Sequence, residues 1–135
     1  MDHGPAAPGA EIAMRFTGLT PTLYTRDIPG SIDFYVNALG FSREGPDGGG
    51  VAFVRRDEVE IMFAWPNAHM PFEAPVLTGA LYIRCDDVNA AWEQVKDTAR
   101  VCYPIEDFDY GMREFAVFDN NGYLLQFGQE IDAAS

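Results

Sequence analysis

At 135 residues, 47% hydrophobic and 22% charged, the chain is long enough for one domain with its own core and too short for a second. Twenty-one acidic residues against nine basic ones give a net charge of −12, which repels phosphate backbones and anionic lipid and argues against nucleic acid or a membrane as partner. No apolar run is long enough to cross a bilayer, and the first residues lack the basic start and apolar centre of a signal peptide, so a cytoplasmic location is expected.

Residues 1–13 read as a flexible N-terminal tail, because Pro, Ala and Gly dominate and no apolar period is present. A single domain is expected over 14–130. Its first element is "LTPTLYTR", where Leu19, Pro21 and Leu23 alternate with Thr20, Thr22 and Tyr24 in the two-residue period of a strand. Pro21 has no N–H for a ladder and places the strand start at an edge or an exchange point. "DIPGSIDFYVNALG" predicts a helix capped by Asp27, with Pro29 in the first turn, Gly40 as its stop and Ile32, Tyr35 or Val36, and Leu39 on the core stripe. Three strands follow, "FSREG", "VAFVRR" and "EVEIMFAW", separated by turn residues.

The same order then recurs. "GALYIRC" predicts a strand, "DVNAAWEQVKD" a helix with Val88, Ala91 or Trp92, and Val95 on one face, and "RVCYPI", "REFAVFD" and "GYLLQFG" three more strands. An offset of 60 pairs Leu23 with Ile83, Asp27 with Asp87 and Ile28 with Val88, so the elements repeat although few residues do. The fold class is α+β, two tandem βαβββ modules with curved sheets around a cleft: module 1 over about 17–65, a linker over 66–76, module 2 over about 77–130, and a C-terminal tail over 131–135. Alternation puts Thr20, Thr22, Tyr24, Glu60, Met62, Ala64, Ala80, Tyr82, Arg84, Leu124, Gln126 and Gly128 on the cleft faces, and Ile61, Phe63, Leu81, Ile83, Leu125 and Phe127 under the helices.

Two cysteines, Cys85 and Cys102, are too few for a disulfide framework and are expected to be reduced core residues. The only histidines, His3 and His69, argue against a site built on two imidazoles. The acidic segment "EDFDYG", residues 106–111, places Phe108 and Tyr110 among three carboxylates, a composition suited to a flat cationic ligand.

With "LTPTLYTRD", "LGFSRE" and "YGMREFAVFDNNG", the chain resembles the vicinal oxygen chelate superfamily of glyoxalases, extradiol dioxygenases and bleomycin resistance proteins over residues 17–130. Pro21, Leu39–Phe41 and Tyr110–Ala116 are most similar to the bleomycin resistance branch. The catalytic branches hold a divalent metal, and their ligand positions carry over to Thr20, Glu60, Ala80 and Gln126, where Glu60 is the one good ligand. The resemblance therefore implies a homodimer that sequesters a cationic or aromatic ligand, bleomycin-like, in a metal-free cleft at the dimer interface, without cofactor or catalytic residues. The expected ligand-binding residues are Tyr24, Glu60, Met62, Tyr82, Phe108, Tyr110, Arg113 and Gln126. Bleomycin binders stack its planar rings between two aromatics, and the counterpart of one falls in Gly48–Val51, where this chain has no ring. The competing reading is a metal-dependent lyase, isomerase or dioxygenase with Glu60 and His69 among its ligands, and a third is a regulatory module whose acidic face meets a basic protein.

Overall fold

Both helices start from the same device. Asp27 precedes α1 (Ile28–Asn37), and its carboxylate accepts the Gly30 N–H at 2.9 Å; Asp87 precedes α2 (Val88–Val95) and accepts the Ala90 N–H at 3.1 Å. Each satisfies one of the N–H groups that a helix start leaves without an internal partner. The computed structural model of the protein describes residues 14–45, 49–68 and 71–131. The tail read over 1–13, His3, His69, Gly48 and residues 132–135 lie outside the described residues.

In module 1, β1 (Thr22–Tyr24), β2 (Ser42–Glu44), β3 (Val51–Arg56) and β4 (Val59–Ala64) form a sheet in the order β1-β4-β3-β2. In module 2, β5 (Leu81–Arg84), β6 (Arg100–Phe108), β7 (Met112–Phe118) and β8 (Leu124–Glu130) repeat it as β5-β8-β7-β6. The first and last strands of each module run parallel, Thr22 facing Met62 and Tyr82 facing Gln126, while the others are antiparallel. The fold is thus the expected pair of βαβββ modules.

One face of each sheet packs under the helices. Leu23, Ile61, Phe63, Phe115, Val117, Leu125 and Phe127 join Tyr35 and Leu39 of the first helix region and Val88 and Val95 of the second in one core. The α1 stripe is centred on Ser31 and Tyr35, which are fully buried, while Ile32 and Val36 sit at its margin. Gly40 ends this region at φ +76°, a left-handed conformation that glycine adopts without a Cβ penalty.

Two expectations are corrected. Cys102 is exposed, because Val101 and Tyr103, not Cys102, turn toward the sheet's packed surfaces, while the half-buried Cys85 packs against the core. Strand β6 also runs on through Glu106, Asp107 and Phe108, which pair with Glu114, Arg113 and Met112, so half of the acidic segment is strand. The irregular register between Val101 and Glu106 spans Pro104, which has no N–H to give to the ladder.

The modules are tied by the turn between β7 and β8. Asp119, 5% exposed, accepts the Tyr35 hydroxyl at 2.7 Å and the N–H groups of Asn121 and Tyr123, each at 2.8 Å. The Tyr123 hydroxyl donates to the Tyr24 carbonyl at 2.6 Å, and the Asn121 amide donates to Ser31 at 2.9 Å. Burial raises the Asp119 pKa, and the Tyr35 hydroxyl and the turn N–H groups oppose that rise by bonding the charged form. Tyr35→Phe is expected to lower stability by about 1–3 kcal/mol in urea unfolding at neutral pH, by leaving a buried acceptor short of a donor. Since the lost bond favours the ionised carboxyl, the deficit shrinks as acid protonates Asp119.

Candidate functional site

The face of each sheet turned away from the helices carries one polar group. On module 1 the Thr20 hydroxyl donates to Glu60 Oε1 at 2.7 Å, and Arg55 Nη2 lies 3.3 Å from Glu60 Oε2 while its Nε reaches Glu44 at 3.2 Å. These residues meet because Arg55 faces Glu60 across the β3–β4 ladder. A cavity of about 490 Å3 beside them is lined by Thr17–Thr20, Arg55, Asp57, Glu58 and Glu60.

On module 2 the alternation that sends Phe115 and Val117 into the core turns Glu114 and Ala116 to the open face, beside Gln126. Glu114 is only 1% exposed. Its Oε1 accepts the Tyr82 hydroxyl at 2.8 Å and its Oε2 accepts the Tyr103 hydroxyl, which in turn accepts the Gln126 amide N–H at 3.0 Å. A carboxylate removed from water needs such donors, and two tyrosines supply them. Desolvation, and then the bond to Glu114, push the Tyr82 hydroxyl up to about 12 and Tyr103 well above the usual phenol range. Desolvation and then the neighbouring Glu114 carboxylate raise Tyr110 as well.

Around this carboxylate the rings form a wall. Phe108 and Tyr110 stack with centroids 5.4 Å apart and planes 12° from parallel, and Tyr103 meets Phe108 edge-on at 5.6 Å. Tyr110 is 61% and Tyr82 38% exposed. Tyr82 reaches Glu114 by crossing β8 over Gly128, where a Cβ would sit 2.0 Å from its hydroxyl oxygen. Gly128, which faces both Arg84 and Glu114 in the sheet, is therefore a passage for the tyrosine side chain.

Of the residues expected to bind ligand, Tyr82, Phe108, Tyr110 and Gln126 come together at Glu114. Glu60 lies on the other sheet with Thr20 and Arg55, and Met62 is half-buried opposite Phe53. Tyr24 packs edge-on at 6.4 Å against Phe72, whose ring lies under the Arg26 guanidinium. Arg113 is held in a bidentate pair with Asp107 at 2.6 and 3.1 Å, which lowers the Asp107 pKa and raises that of Arg113. Glu114 and Tyr103, the centre of the network, were not among the expected residues. The signal for Glu114 was the alternation along "REFAVF", read from the buried Phe115 outward, whereas Tyr103 stands on β6 beyond an irregular register that alternation does not cross. Next to the stretch Gly48–Val51, which has no ring of its own, the indole of Trp65, 60% exposed, lies against Gly50, where a Cβ would meet it at 3.4 Å.

The four positions carried over as metal ligands do not make a donor set for a divalent ion. Ala80 has no side-chain donor atom, Gln126 offers only a neutral amide oxygen, and Glu60 is neutralised by Arg55 and bonded by Thr20. Gln126 is also level with Tyr82 in the ladder, whereas Glu60 is level with Thr20, so the two modules offer these side chains at different heights.

The order of strands, the parallel outer pair in each module and the two open faces define a glyoxalase-like protein. The sequence profile of the Glyoxalase/Bleomycin resistance protein/Dioxygenase superfamily matches residues 17–127, and the chain belongs to that superfamily. Among solved structures it is similar to TioX from Micromonospora sp. ML1, with 18% identity, 86% of this chain and 100% of that one covered, and a TM-score of 0.70. It is also similar to the bleomycin-binding protein from bleomycin-producing Streptomyces verticillus, solved with copper(II)-bleomycin, at 25% identity, 84% and 96% coverage and a TM-score of 0.65. A glyoxalase/bleomycin resistance protein/dioxygenase from Nocardioides aligns at 15% identity, 93% and 91% coverage and a TM-score of 0.70. Comparison with curated protein sequences gives no match.

Two outcomes test this geometry. Tyr82 is expected to titrate in ultraviolet absorbance at about 12 and to return toward the ordinary phenol value in Glu114→Gln; its raised pKa contributes stability that is complete below the unfolded value near 10 and lost as pH rises through about 12. Gly128→Ala is expected to swing Tyr82 away from Glu114 and lower its pKa in the same titration, while the sheet remains intact by circular dichroism.

Proposed function

We propose that this protein is a bleomycin resistance-like small-molecule binding protein, which sequesters a cationic or aromatic ligand without changing it covalently. The observation that carries this reading is the buried Glu114 carboxylate beneath Tyr82, Tyr103, Phe108 and Tyr110. A negative charge behind π faces is the arrangement that attracts an organic cation, by Coulomb attraction at the centre and cation–π contact at the wall. The net charge of −12 adds long-range attraction for such a ligand. Catalysis of the metal-dependent kind needs an ion as Lewis acid, and the carried-over positions do not fit one.

The working unit of this proposal is a cytoplasmic homodimer of one domain spanning residues 14–130. Trp65 on module 1 and Tyr110 on module 2 each present an exposed aromatic surface, and a two-fold pairing of chains brings one module's open face over the partner's other module. Phe16 and Leu19, each 90% exposed on the segment before β1, supply apolar surface for that contact.

Calorimetric titration of metal-analysed protein with copper-free and copper-loaded bleomycin tests the reading. The expected result is saturable binding at one ligand per chain that weakens with salt, is unchanged by a chelator, and falls by about tenfold or more in Tyr110→Ala, Trp65→Ala and Glu114→Gln. Binding that disappears with the chelator, or activity that appears with added Zn, Mn, Fe or Ni, transfers the protein to the enzyme branches. A dimer in sedimentation equilibrium is the expected assembly.

A further inference from the structure

The two modules are not joined symmetrically. The parallel registers and the matching helix caps make Thr25 and Cys85 counterparts, both donating their N–H to the last strand of their module, and likewise Ser31 and Ala91, and Tyr35 and Val95. At the first seam Thr25, Ser31 and Tyr35 are bonded by the β7–β8 turn, with Thr25 donating to Asn121 at 2.8 Å. That turn lies between the paired residues Phe118 and Leu124, whereas the β3–β4 turn between Arg56 and Val59 has only Asp57 and Glu58.

At the second seam the shorter turn meets smaller and less polar side chains: a thiol for a hydroxyl, Ala for Ser and Val for Tyr. The bond found across it is from Arg56 Nη1 to Gln94 at 3.2 Å, with the same nitrogen donating to the Leu39 carbonyl at 2.7 Å. The space left is a cavity of about 580 Å3, within the size range of small-molecule sites. Its floor is Leu39, Phe41, Val59, Ile83 and Phe127, and its rim carries Asp57, Glu58, Asp86 and Asp87 against Arg56 and Arg84. Ile83 and Phe127 point here because their neighbours Tyr82 and Gln126 point to the opposite face of the sheet, so this cavity is separate from the Glu114 site.

The geometry points to a second ligand site in this seam, for an organic cation with an apolar body and one ammonium group. The hydrocarbon replaces the missing Tyr35 counterpart on the apolar floor, and the ammonium meets Glu58 and Asp86 at the rim, where carboxylates outnumber guanidiniums and Arg56 is already engaged with Leu39, Gln94 and, at 3.9 Å, Asp57. Cys85 lines the same cavity, and burial keeps its thiol above the usual pKa, so it serves as a reporter of occupancy.

The test uses the full chain carrying Cys102→Ser, which leaves Cys85 as its single thiol, with phenylbutylammonium as probe and phenylbutyrate as the isosteric anion. The amine is expected to slow maleimide alkylation of Cys85 saturably at mildly alkaline pH, the anion is not, and Tyr110→Ala is expected to leave the protection in place. Ala91→Phe should abolish protection by filling the seam, and Glu58→Gln with Asp86→Asn should weaken it by about fivefold. Amide shifts of the unsubstituted protein on adding the amine are expected to centre on Val59, Ala90 and Ala91. Equal slowing by the anion, protection that survives Ala91→Phe, no slowing at millimolar amine, or shifts centred elsewhere would each overturn the assignment.

Discussion

The bond between Tyr35 and Asp119 is the contact on which the rest of the molecule depends. Each βαβββ module buries one face of its own sheet under its own helix and has no reason of its own to choose an orientation toward the other. The buried carboxyl supplies that reason. It is held by its own turn through two backbone N–H groups and reaches into the other module for a hydroxyl, so the turn and helix α1 must be in register before either is satisfied. Directional bonds of this kind select one arrangement where apolar contact alone would accept several. The cost is the desolvation of a carboxyl group, visible in its raised pKa.

Glu114 repeats the same physics for a different end. It too is a buried carboxylate whose acceptors are filled by tyrosines, yet those tyrosines lie on the open face and are partly exposed, so the charge is shielded from water by rings. Asp119 spends its bonds on holding the modules together, whereas the Glu114 network spends them on holding aromatic side chains in fixed positions. Preorganised rings lose little freedom on meeting a ligand.

Much of this fold was legible in the sequence because it rests on local signals. The cap residues Asp27 and Asp87, the stop at Gly40 and the alternation in β4 and β8 each act within a few residues, and each corresponds to an element observed. The site was legible in part. Gln126 and Tyr82 follow from strand alternation, but Glu114 stands in a segment whose apolar neighbours gave no hint that its carboxylate is covered, since that depends on Tyr103 arriving from another strand. Trp65 lying against Gly50, and Gly128 giving passage to Tyr82, are relations across strands that no local window contains. Cys102 shows the limit from the other side: a residue type that is usually buried lies exposed because the irregular register of β6 sets which side chains turn inward.

Strand β7 carries the two roles back to back. Glu114 and Ala116 belong to the open face, while Phe115 and Val117 are fully enclosed in the shared core. A molecule at Glu114 therefore meets the strand whose alternate residues, Phe115 and Val117, lie in the core. Occupancy and folding are then one equilibrium: ligand bound to the native face adds RT ln(1 + [L]/Kd) to the stability of the whole chain. The amount of chain surviving unfolding and proteolysis then rises with whatever ligand the native face retains, so that supply follows demand without a separate sensor.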